Sequence, residues 1–169
     1  MMTVSGCGIG KDETMSVELV PASREDIRDI WEIQVKAFSP LLEKYQDYAT
    51  SPAAESPEQV LRKHEEAGAR YYFINAGGRR VGMVRAVDRG DGSRKRISPI
   101  CILPEYRGRG YAQAAIHALE ELFGASNWGL DTILQEPGNL HLYEKLGYHR
   151  TGGTKRINDR MDLVFFEKD

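Results

Sequence analysis

Cysteine is scarce in this chain, which has only Cys7 and Cys101 among its 169 residues. Cys7 belongs to a glycine-rich N-terminal stretch, whereas Cys101 belongs to an apolar run. Two cysteines in such different settings exclude the disulfide framework that is typical of small secreted domains. A reducing, cytoplasmic location is therefore expected.

Long apolar runs are also missing. No stretch approaches the roughly 18 residues that a membrane-spanning helix needs, and residues 1–14 lack the apolar core of a signal peptide. We therefore expect no membrane partner. Residues 1–14 are expected to form a disordered N-terminal extension, and residues 15–169 a single domain, because this length suits one domain.

A strong charge of either sign is absent as well, since 23 basic residues face 25 acidic ones and the net charge is −2. A nearly neutral chain has no global attraction to nucleic acid or to an anionic membrane, so no nucleic-acid partner is expected. Hydrophobic residues make up 41% of the chain and charged residues 28%, which is ordinary for a soluble globular domain.

Apolar residues recur with alternating strand-like and helix-like spacing along the chain. Ser23 and Asp26 resemble a capping box before a helix that Ser39-Pro40 is expected to end. The full set is a strand at 17–20, a helix up to 39, a helix at 57–68, strands at 71–74, 81–87 and 95–103, a helix at 111–123, a strand at 131–135, a helix at 139–146, and strands at 148–151 and 161–166. Strand, helix and strand in succession favour a right-handed parallel crossover.

The most informative segment is the glycine-rich turn Pro104–Ala112, which reads Pro-Glu-Tyr-Arg-Gly-Arg-Gly-Tyr-Ala. It follows an apolar run and opens the predicted helix at 111–123. Amide groups at a helix N-terminus point at an anion, and the helix dipole favours negative charge there. Glycines let the backbone approach phosphate oxygens, and arginines add charged donors. The turn therefore predicts a bound phosphate or pyrophosphate.

Two other interpretations of this turn stay open when it is taken alone. It can be a structural glycine turn with two solvated arginines. It can also be a dinucleotide site of the Rossmann type, with Asp131 at a suitable spacing for a ribose contact. Two features argue against the dinucleotide site. Its fingerprint requires a third small residue at a position that holds the large Gln113, and the preceding strand lies deep in the chain.

A second motif separates these interpretations. The run Arg107–Ala112 resembles the (Gln/Arg)-x-x-Gly-x-(Gly/Ala) motif of the GNAT N-acetyltransferase superfamily. One strand further along, Asn139 and the run Tyr143–Tyr148 are similar to that family's second signature, an Asn followed by Tyr-Glu-Lys-x-Gly-(Phe/Tyr). The resemblance extends from about Met15 to the C-terminus. It implies an α/β GNAT fold with a mixed central sheet of about six to seven strands and about four flanking helices, splayed at the acyl-CoA site.

The resemblance also implies an acetyl-CoA-dependent N-acetyltransferase, which moves an acetyl group to a primary amine by direct attack in a ternary complex. The turn would bind the pyrophosphate of CoA, and the preceding strand would pair with the pantetheine arm. Pro99 favours a splay there, because proline interrupts a hydrogen-bond ladder. Cys101 is expected to be a small core residue rather than a nucleophile. The implied CoA-binding residues are Ile100, Cys101, Ile102, Arg107, Gly108, Arg109, Gly110, Tyr111, Ala112, Asn139 and Tyr143.

Acetyl transfer passes through a tetrahedral oxyanion and releases a thiolate. Tyr143 matches the family position of the general acid, and a tyrosine keeps its proton at pH 7. The N–H of Ile102 on the splayed strand suits an oxyanion hole. Many family members have a carboxylate base on this strand, but residues 97–102 include none. Glu136, His141 or a relayed water stays open as the base.

The acceptor site is less well defined by the sequence. Tyr45, Asp47 and Tyr48 lie in an irregular segment at 41–56 that covers the acceptor in the family, and Glu136 is a further candidate. Aromatic walls and carboxylates suit an amine, although an ordinary loop explains the same residues. No metal is expected, and the closing strands can pair between subunits of a homodimer. The missing strand carboxylate also keeps open a non-catalytic acyl-CoA-binding sensor or interaction module.

Overall fold

The computed structural model describes residues 16–169. The segment expected to be disordered and Cys7 lie outside this range. Within it the chain forms seven strands and four α-helices in the expected order. The strands are β1 (Glu18–Pro21), β2 (Ala69–Ala76), β3 (Arg79–Val87), β4 (Lys95–Ile102), β5 (Trp128–Ile133), β6 (His149–Asn158) and β7 (Met161–Lys168). The helices are α1 (Ile27–Tyr45), α2 (Pro57–His64), α3 (Tyr111–Phe123) and α4 (Pro137–Lys145).

The seven strands form one mixed sheet in the order β1-β2-β3-β4-β5-β7-β6. Neighbouring strands are antiparallel except for β4 and β5, which are parallel. The chain passes from β4 to β5 through α3, which is the crossover that a parallel pair requires. The expected mixed sheet is confirmed.

The parallel pairing of β4 with β5 is short. It consists of Lys95 with Trp128 and Arg96 with Gly129, and the two strands separate after these pairs. Pro99 lies in the part of β4 beyond the separation, where it has no N–H to offer a neighbouring strand. The splay expected near this proline is therefore present, and it leaves a gap in the middle of the sheet.

Helices cover both faces of the sheet. The core beneath α1 and α2 includes Ile30, Val60, Phe73, Met83 and Cys101. The core beneath α3 and α4 includes Ile74, Ile116, Leu119, Trp128 and Phe166. Because successive side chains of a strand point to opposite faces, the apolar run in β2 supplies both cores. This run is typical of a strand buried on both sides.

Helix α1 extends beyond the end predicted at Ser39-Pro40. It continues to Tyr45 with Pro40 inside it, and Gln46 ends it in the left-handed conformation. A proline inside a helix removes a hydrogen bond and costs about 3 kcal/mol, but the continuation buries Tyr45. Tertiary burial therefore overrides the local breaker, and the segment at 41–56 begins as helix. No helix within residues 16–169 is both long and apolar enough to cross a membrane.

Strand β6 forms one edge of the sheet. Its residues 149–156 are exposed along their whole length. An exposed edge strand offers unpaired backbone groups to another chain. This placement is compatible with the expected homodimer, which stays a prediction.

Gly82 lies where β3 approaches β4 most closely, since a β-carbon there would lie 2.1 Å from the carbonyl oxygen of Cys101. We expect Gly82→Ala to force these strands apart and to lower the free energy of unfolding by about 2–3 kcal/mol. In the control Gly153→Ala the nearest atoms would be 3.9 Å away, so a change below about 0.5 kcal/mol is expected. Urea denaturation measures both, and equal stability of the two variants would contradict the close approach.

Candidate functional site

A cavity of about 850 Å³ occupies the gap between β4 and β5. Residues 97–102 of β4 and 131–133 of β5 form two of its walls. The other walls come from α1, the turn before α3, α4 and β7, and include Phe38, Leu41, Tyr106, Gly110, Tyr111, Ala112, Asn139, Tyr143, Met161 and Leu163. This volume lies within the range of cavities that hold a cofactor or a small molecule.

The turn before α3 forms one wall of this cavity. Gly108 and Gly110 have φ angles of 77° and 82°, a left-handed conformation that glycine adopts without strain. The first hydrogen bond of α3 joins the N–H of Ala114 to the carbonyl of Gly110, so the amides of residues 111–113 have no acceptor within the helix. Together with the helix dipole, these amides form the kind of anion cradle that the sequence predicts.

The two arginines of the turn are placed differently. Arg107 donates from Nε to the carbonyl of Ile102 at 3.1 Å and from a terminal nitrogen to the carbonyl of Ala37 at 2.5 Å. It thereby fastens the turn to the end of β4 and to α1. The Arg109 side chain is exposed, and its guanidinium lies 5.9 Å from the ring centroid of Tyr106. This placement supports a role for the backbone of Arg109 rather than for its side chain.

Strand β4 directs the N–H of Ile102 into the gap. The N–H of Leu103 donates to the carbonyl of Val81 in β3 at 2.8 Å. Successive N–H groups of a strand point to opposite sides, so the N–H of Ile102 points away from β3. The neighbouring Cys101 is buried, and burial raises the pKa of its thiol to about 12. A thiol that stays protonated at neutral pH is a poor nucleophile, which agrees with a core role.

Tyr143 reaches the cavity from α4, and its side chain is almost fully buried. Its ring packs on Tyr148 and Phe166, with centroid distances of 6.1 and 5.8 Å. Burial raises the pKa of the Tyr143 hydroxyl above its ordinary value of 10, and the negative charge of Asp131 raises it further. The hydroxyl therefore holds its proton at neutral pH, as a proton donor to a thiolate must.

Asn139 lies one turn before Tyr143, on the same face of α4. Its Nδ2 donates to Thr132 Oγ1 in β5 at 3.2 Å, and both residues line the cavity. This bond ties the start of α4 to β5. Asn139 of the second sequence motif thus holds α4 beside the gap by binding Thr132, a residue that lies outside the motif.

The predicted acceptor-binding residues are only partly brought together. Glu136 and Asp47 line the cavity, but Asp47 is buried and accepts hydrogen bonds from two amides and the hydroxyl of Thr50 in its own turn. Tyr45 lies in α1 behind the cavity wall and donates to Glu136. Tyr48 is 65% exposed and does not line the cavity. The expected aromatic walls are not formed by these tyrosines, because α1 continues through residue 45.

Glu136 is held by the end of α1. Lys44 Nζ donates to its carboxylate at 2.8 Å, and the hydroxyl of Tyr45 donates to the same oxygen. Burial by itself would raise the pKa of Glu136, but the hydrogen bonds from Lys44 and Tyr45 outweigh it and lower the pKa. A less basic carboxylate is a weaker candidate for the general base. His141, the other candidate, is exposed and lies outside the cavity lining.

Asp131 is a cavity residue that the sequence analysis connected only with a dinucleotide site. It lines the gap from β5 and forms an ion pair with Arg96 of β4 at 3.0 Å. The sequence feature that points to Asp131 as a cavity residue is its position in the strand next to the predicted splay. Among residues 16–169, no three His, Cys, Asp or Glu side chains are grouped so as to hold a metal ion.

A protein-family model described as the Acetyltransferase (GNAT) family matches residues 27–148. Spermidine N(1)-acetyltransferase of Escherichia coli (strain K12) is 28% identical over 142 residues, which cover 81% of this chain and 75% of that relative.

Two solved structures have the same architecture. Spermidine N-acetyltransferase from Vibrio cholerae, in complex with CoA and spermine, has a TM-score of 0.67 at 22% identity and covers 89% of this chain and 94% of its own. An acetyltransferase from Salmonella typhimurium is described as modifying the N-terminal serine of ribosomal protein L7/L12. It has a TM-score of 0.67 at 15% identity, and the match covers 89% of this chain and 93% of that chain. At these identities the likeness shows the fold alone.

Replacing Glu136 by glutamine should lower the free energy of unfolding at pH 7 by about 1–2 kcal/mol, because charge-assisted hydrogen bonds are lost. Since the folded protein lowers the pKa of Glu136, this stabilisation is present above the unfolded-state pKa and is lost as the pH falls through the folded pKa. Urea denaturation should therefore show a smaller difference from wild type at pH 3.5 than at pH 7.

The matched control is Glu121→Gln, which changes an exposed glutamate of α3 that lies outside the cavity lining. It should alter stability by less than about 0.5 kcal/mol at both pH values. A Glu136→Gln difference that is independent of pH would contradict the ionised, hydrogen-bonded carboxylate.

Proposed function

The chain belongs to the GNAT acetyltransferase family, and from this premise we propose that it transfers the acetyl group of acetyl-CoA to a primary amine of a small molecule or peptide. The observation that carries the proposal is the gap between β4 and β5, which a glycine-rich anion cradle and Tyr143 both line. The names of the relatives from Escherichia coli and Vibrio cholerae support an amine acceptor.

In this proposal the CoA pyrophosphate binds the amides of residues 109–112 at the start of α3, where the helix dipole favours an anion. The pantetheine arm then follows β4 at residues 100–102, whose backbone groups on the gap side have no partner strand. Arg107 and Asn139 keep the turn and α4 in place around the arm. An extended ligand thus takes the place beside β4 that β5 would occupy if the two strands stayed paired, as in strand addition.

The reaction we propose is a direct attack within a ternary complex. The deprotonated amine nitrogen forms a bond to the thioester carbonyl carbon, and the N–H of Ile102 donates to the oxyanion. When the C–S bond breaks, Tyr143 gives its proton to the departing thiolate. The ammonium loses two protons in all. One goes to solvent and the other restores the tyrosine.

The acceptor ammonium must lose one proton before its nitrogen can attack, and this step does not require a dedicated side chain as general base. Glu136 is held ionised by Lys44 and Tyr45, and β4 offers no carboxylate between residues 97 and 102. We assign this step to water in the open part of the cavity. The rate should then rise with pH as a larger fraction of the bound acceptor becomes unprotonated.

The proposal also includes a homodimer formed through β6, a cytoplasmic protein, and no metal or nucleic-acid partner. The exposed edge of β6 supports the dimer. The buried, unpaired Cys101 supports a reducing environment. The net charge of −2 offers nucleic acid no general attraction.

A second candidate is a sensor that binds acyl-CoA without catalysis, which the carboxylate-free β4 favours. Thiol release from acetyl-CoA separates the two functions when it is measured with spermidine, 2-phenylethylamine, lysine and a peptide with an N-terminal serine. An N-acetyltransferase releases CoA with at least one of them. Tight acetyl-CoA binding without release for any acceptor would favour the sensor.

Gly110→Asp should raise the Kd for acetyl-CoA at least about tenfold, because the new carboxylate repels the pyrophosphate at the cradle. The matched control is Gly92→Asp, which makes the same change at a glycine with φ of 85° and open space around it, outside the cavity lining. Isothermal titration calorimetry measures both. Wild-type affinity in Gly110→Asp would contradict the position of the pyrophosphate.

Tyr143→Phe should lower kcat about 100-fold or more, because the thiolate loses its proton donor, while the KM for acetyl-CoA changes little. Tyr148→Phe is the control, since this neighbouring ring also loses a hydroxyl but lies outside the cavity lining. Steady-state thiol release at saturating acetyl-CoA compares the two. An unchanged kcat in Tyr143→Phe would remove Tyr143 from the mechanism.

A further inference from the structure

Asp131 is the cavity carboxylate that belongs to a splayed strand, and its Oδ1 accepts no hydrogen bond from the described residues. We propose that the acceptor is a monoamine with an apolar body, and that its single ammonium group binds Asp131. The inference rests on the proposed acetyl transfer, to which it adds the class of acceptor and the residue that recognises it.

The strand register determines where Asp131 points. Trp128 and Leu130 of β5 belong to the core beneath α3 and α4. Because side chains alternate along a strand, Asp131 projects to the opposite face, on which α1 lies. Tyr143 comes from α4, on the face of the anion cradle. An acceptor at Asp131 therefore approaches the thioester from the side opposite to the proton donor.

The charge of Asp131 acts across this gap. It contributes to the raised pKa of the Tyr143 hydroxyl, and such an effect requires proximity. Arg96 donates to Oδ2 of Asp131 at 3.0 Å, while a carboxylate has about four acceptor positions on its two oxygens. Oδ1 can therefore accept from an ammonium while Arg96 holds the side chain in place.

The other two carboxylates of the cavity are already engaged. Glu136 accepts from Lys44 and from Tyr45. Asp47 is 4% exposed, and its two oxygens accept three hydrogen bonds within its own turn. Both contacts of Glu136 fall on Oε2, so a second ammonium would have to share this carboxylate with the ammonium of Lys44. Both oxygens of Asp47 already accept hydrogen bonds.

Cationic side chains also balance the acidic ones. Three carboxylates line the cavity, at Asp47, Asp131 and Glu136. Glu55, the partner of Lys63, brings the carboxylates that line the cavity or pair with its lining to four. Four cations do the same, namely Lys44, Lys63, Arg96 and Arg107. A polycation gains no net attraction from such a site, because recognition of several charges requires a complementary potential.

Apolar side chains form a continuous part of the acceptor side. Ile133 of β5 pairs with Leu163 of β7, and both line the cavity. Phe38, Leu41 and Met161 complete this surface. An apolar body gains free energy here by leaving water, whereas a second ammonium would lose its hydration without a partner. We therefore expect this chain to differ in acceptor from its relatives named for spermidine.

The first test compares two acceptors of the wild-type protein at pH 7.5 and saturating acetyl-CoA. We expect kcat/KM for 2-phenylethylamine to exceed that for spermidine by at least about tenfold, because apolar contacts and one ion pair replace unpaired charges. A kcat/KM for spermidine equal to or above that for 2-phenylethylamine would overturn the monoamine class.

The second test is Asp131→Asn. It should raise the KM for 2-phenylethylamine about 30-fold, as expected when an ionic partner of an ammonium is lost, with the KM for acetyl-CoA within about twofold of wild type. Aniline, which is uncharged at this pH, should show no such increase. The control Asp159→Asn, in the exposed turn between β6 and β7, should leave all KM values unchanged.

An unchanged KM for 2-phenylethylamine in Asp131→Asn would overturn the inference while leaving acetyl transfer intact. If the variant does not fold, Asp131→Glu supplies the decision, because it keeps the negative charge beside Arg96 but moves the carboxylate group by one methylene. The KM for 2-phenylethylamine should then rise at least about threefold while the KM for aniline stays unchanged, and an unchanged KM for 2-phenylethylamine would contradict the site. If the wild type acetylates no amine, the proposed function fails separately. Calorimetric binding of 2-phenylethylamine to the CoA-loaded wild type and Asp131→Asn then tests Asp131 alone.

Discussion

The early end of the parallel pairing between β4 and β5 is the constraint on which the site depends. Two residue pairs form the ladder, and the strands separate after Arg96 and Gly129. The cavity opens where the two strands part, and residues 97–102 and 131–133 form two of its walls. Had the ladder continued, the backbone groups of residues 97–102 would be paired within the sheet, and the anion cradle of α3 would face a closed surface.

Side chains of the two sequence motifs hold the walls of this gap in place, whereas backbone groups face the space that a ligand would occupy. Arg107 of the glycine-rich motif binds two carbonyl groups, on β4 and α1. Asn139 of the second motif binds Thr132 of β5. The groups that the proposed function leaves for a ligand include the amides at the start of α3 and the N–H of Ile102. Preorganised backbone donors of this kind suit an anionic donor and a transient oxyanion.

Electrostatics distinguishes two sides of the cavity, which the proposed function assigns to the acetyl donor and to the acceptor. The helix dipole and free amides make the cradle attractive to phosphate. On the other face, Asp131 and Glu136 each have a cationic partner, at 3.0 and 2.8 Å. Burial keeps the Tyr143 hydroxyl protonated between the two sides. In the proposal made above, a neutralised acceptor side admits an amine without attracting every polycation, and specificity depends on shape and on a single ionic contact.

The sequence by itself determined the element order, the anion cradle and the position of the splay, because turn glycines, strand alternation and Pro99 act within a few residues. It also placed Asn139 and Tyr143 on one helix face. Only the tertiary structure decided that α1 continues through Pro40, that Tyr45 binds Glu136 across 91 residues, and that Asp131 meets Arg96 across 35. Such pairings depend on how distant segments pack, and local propensities carry no information about their partners.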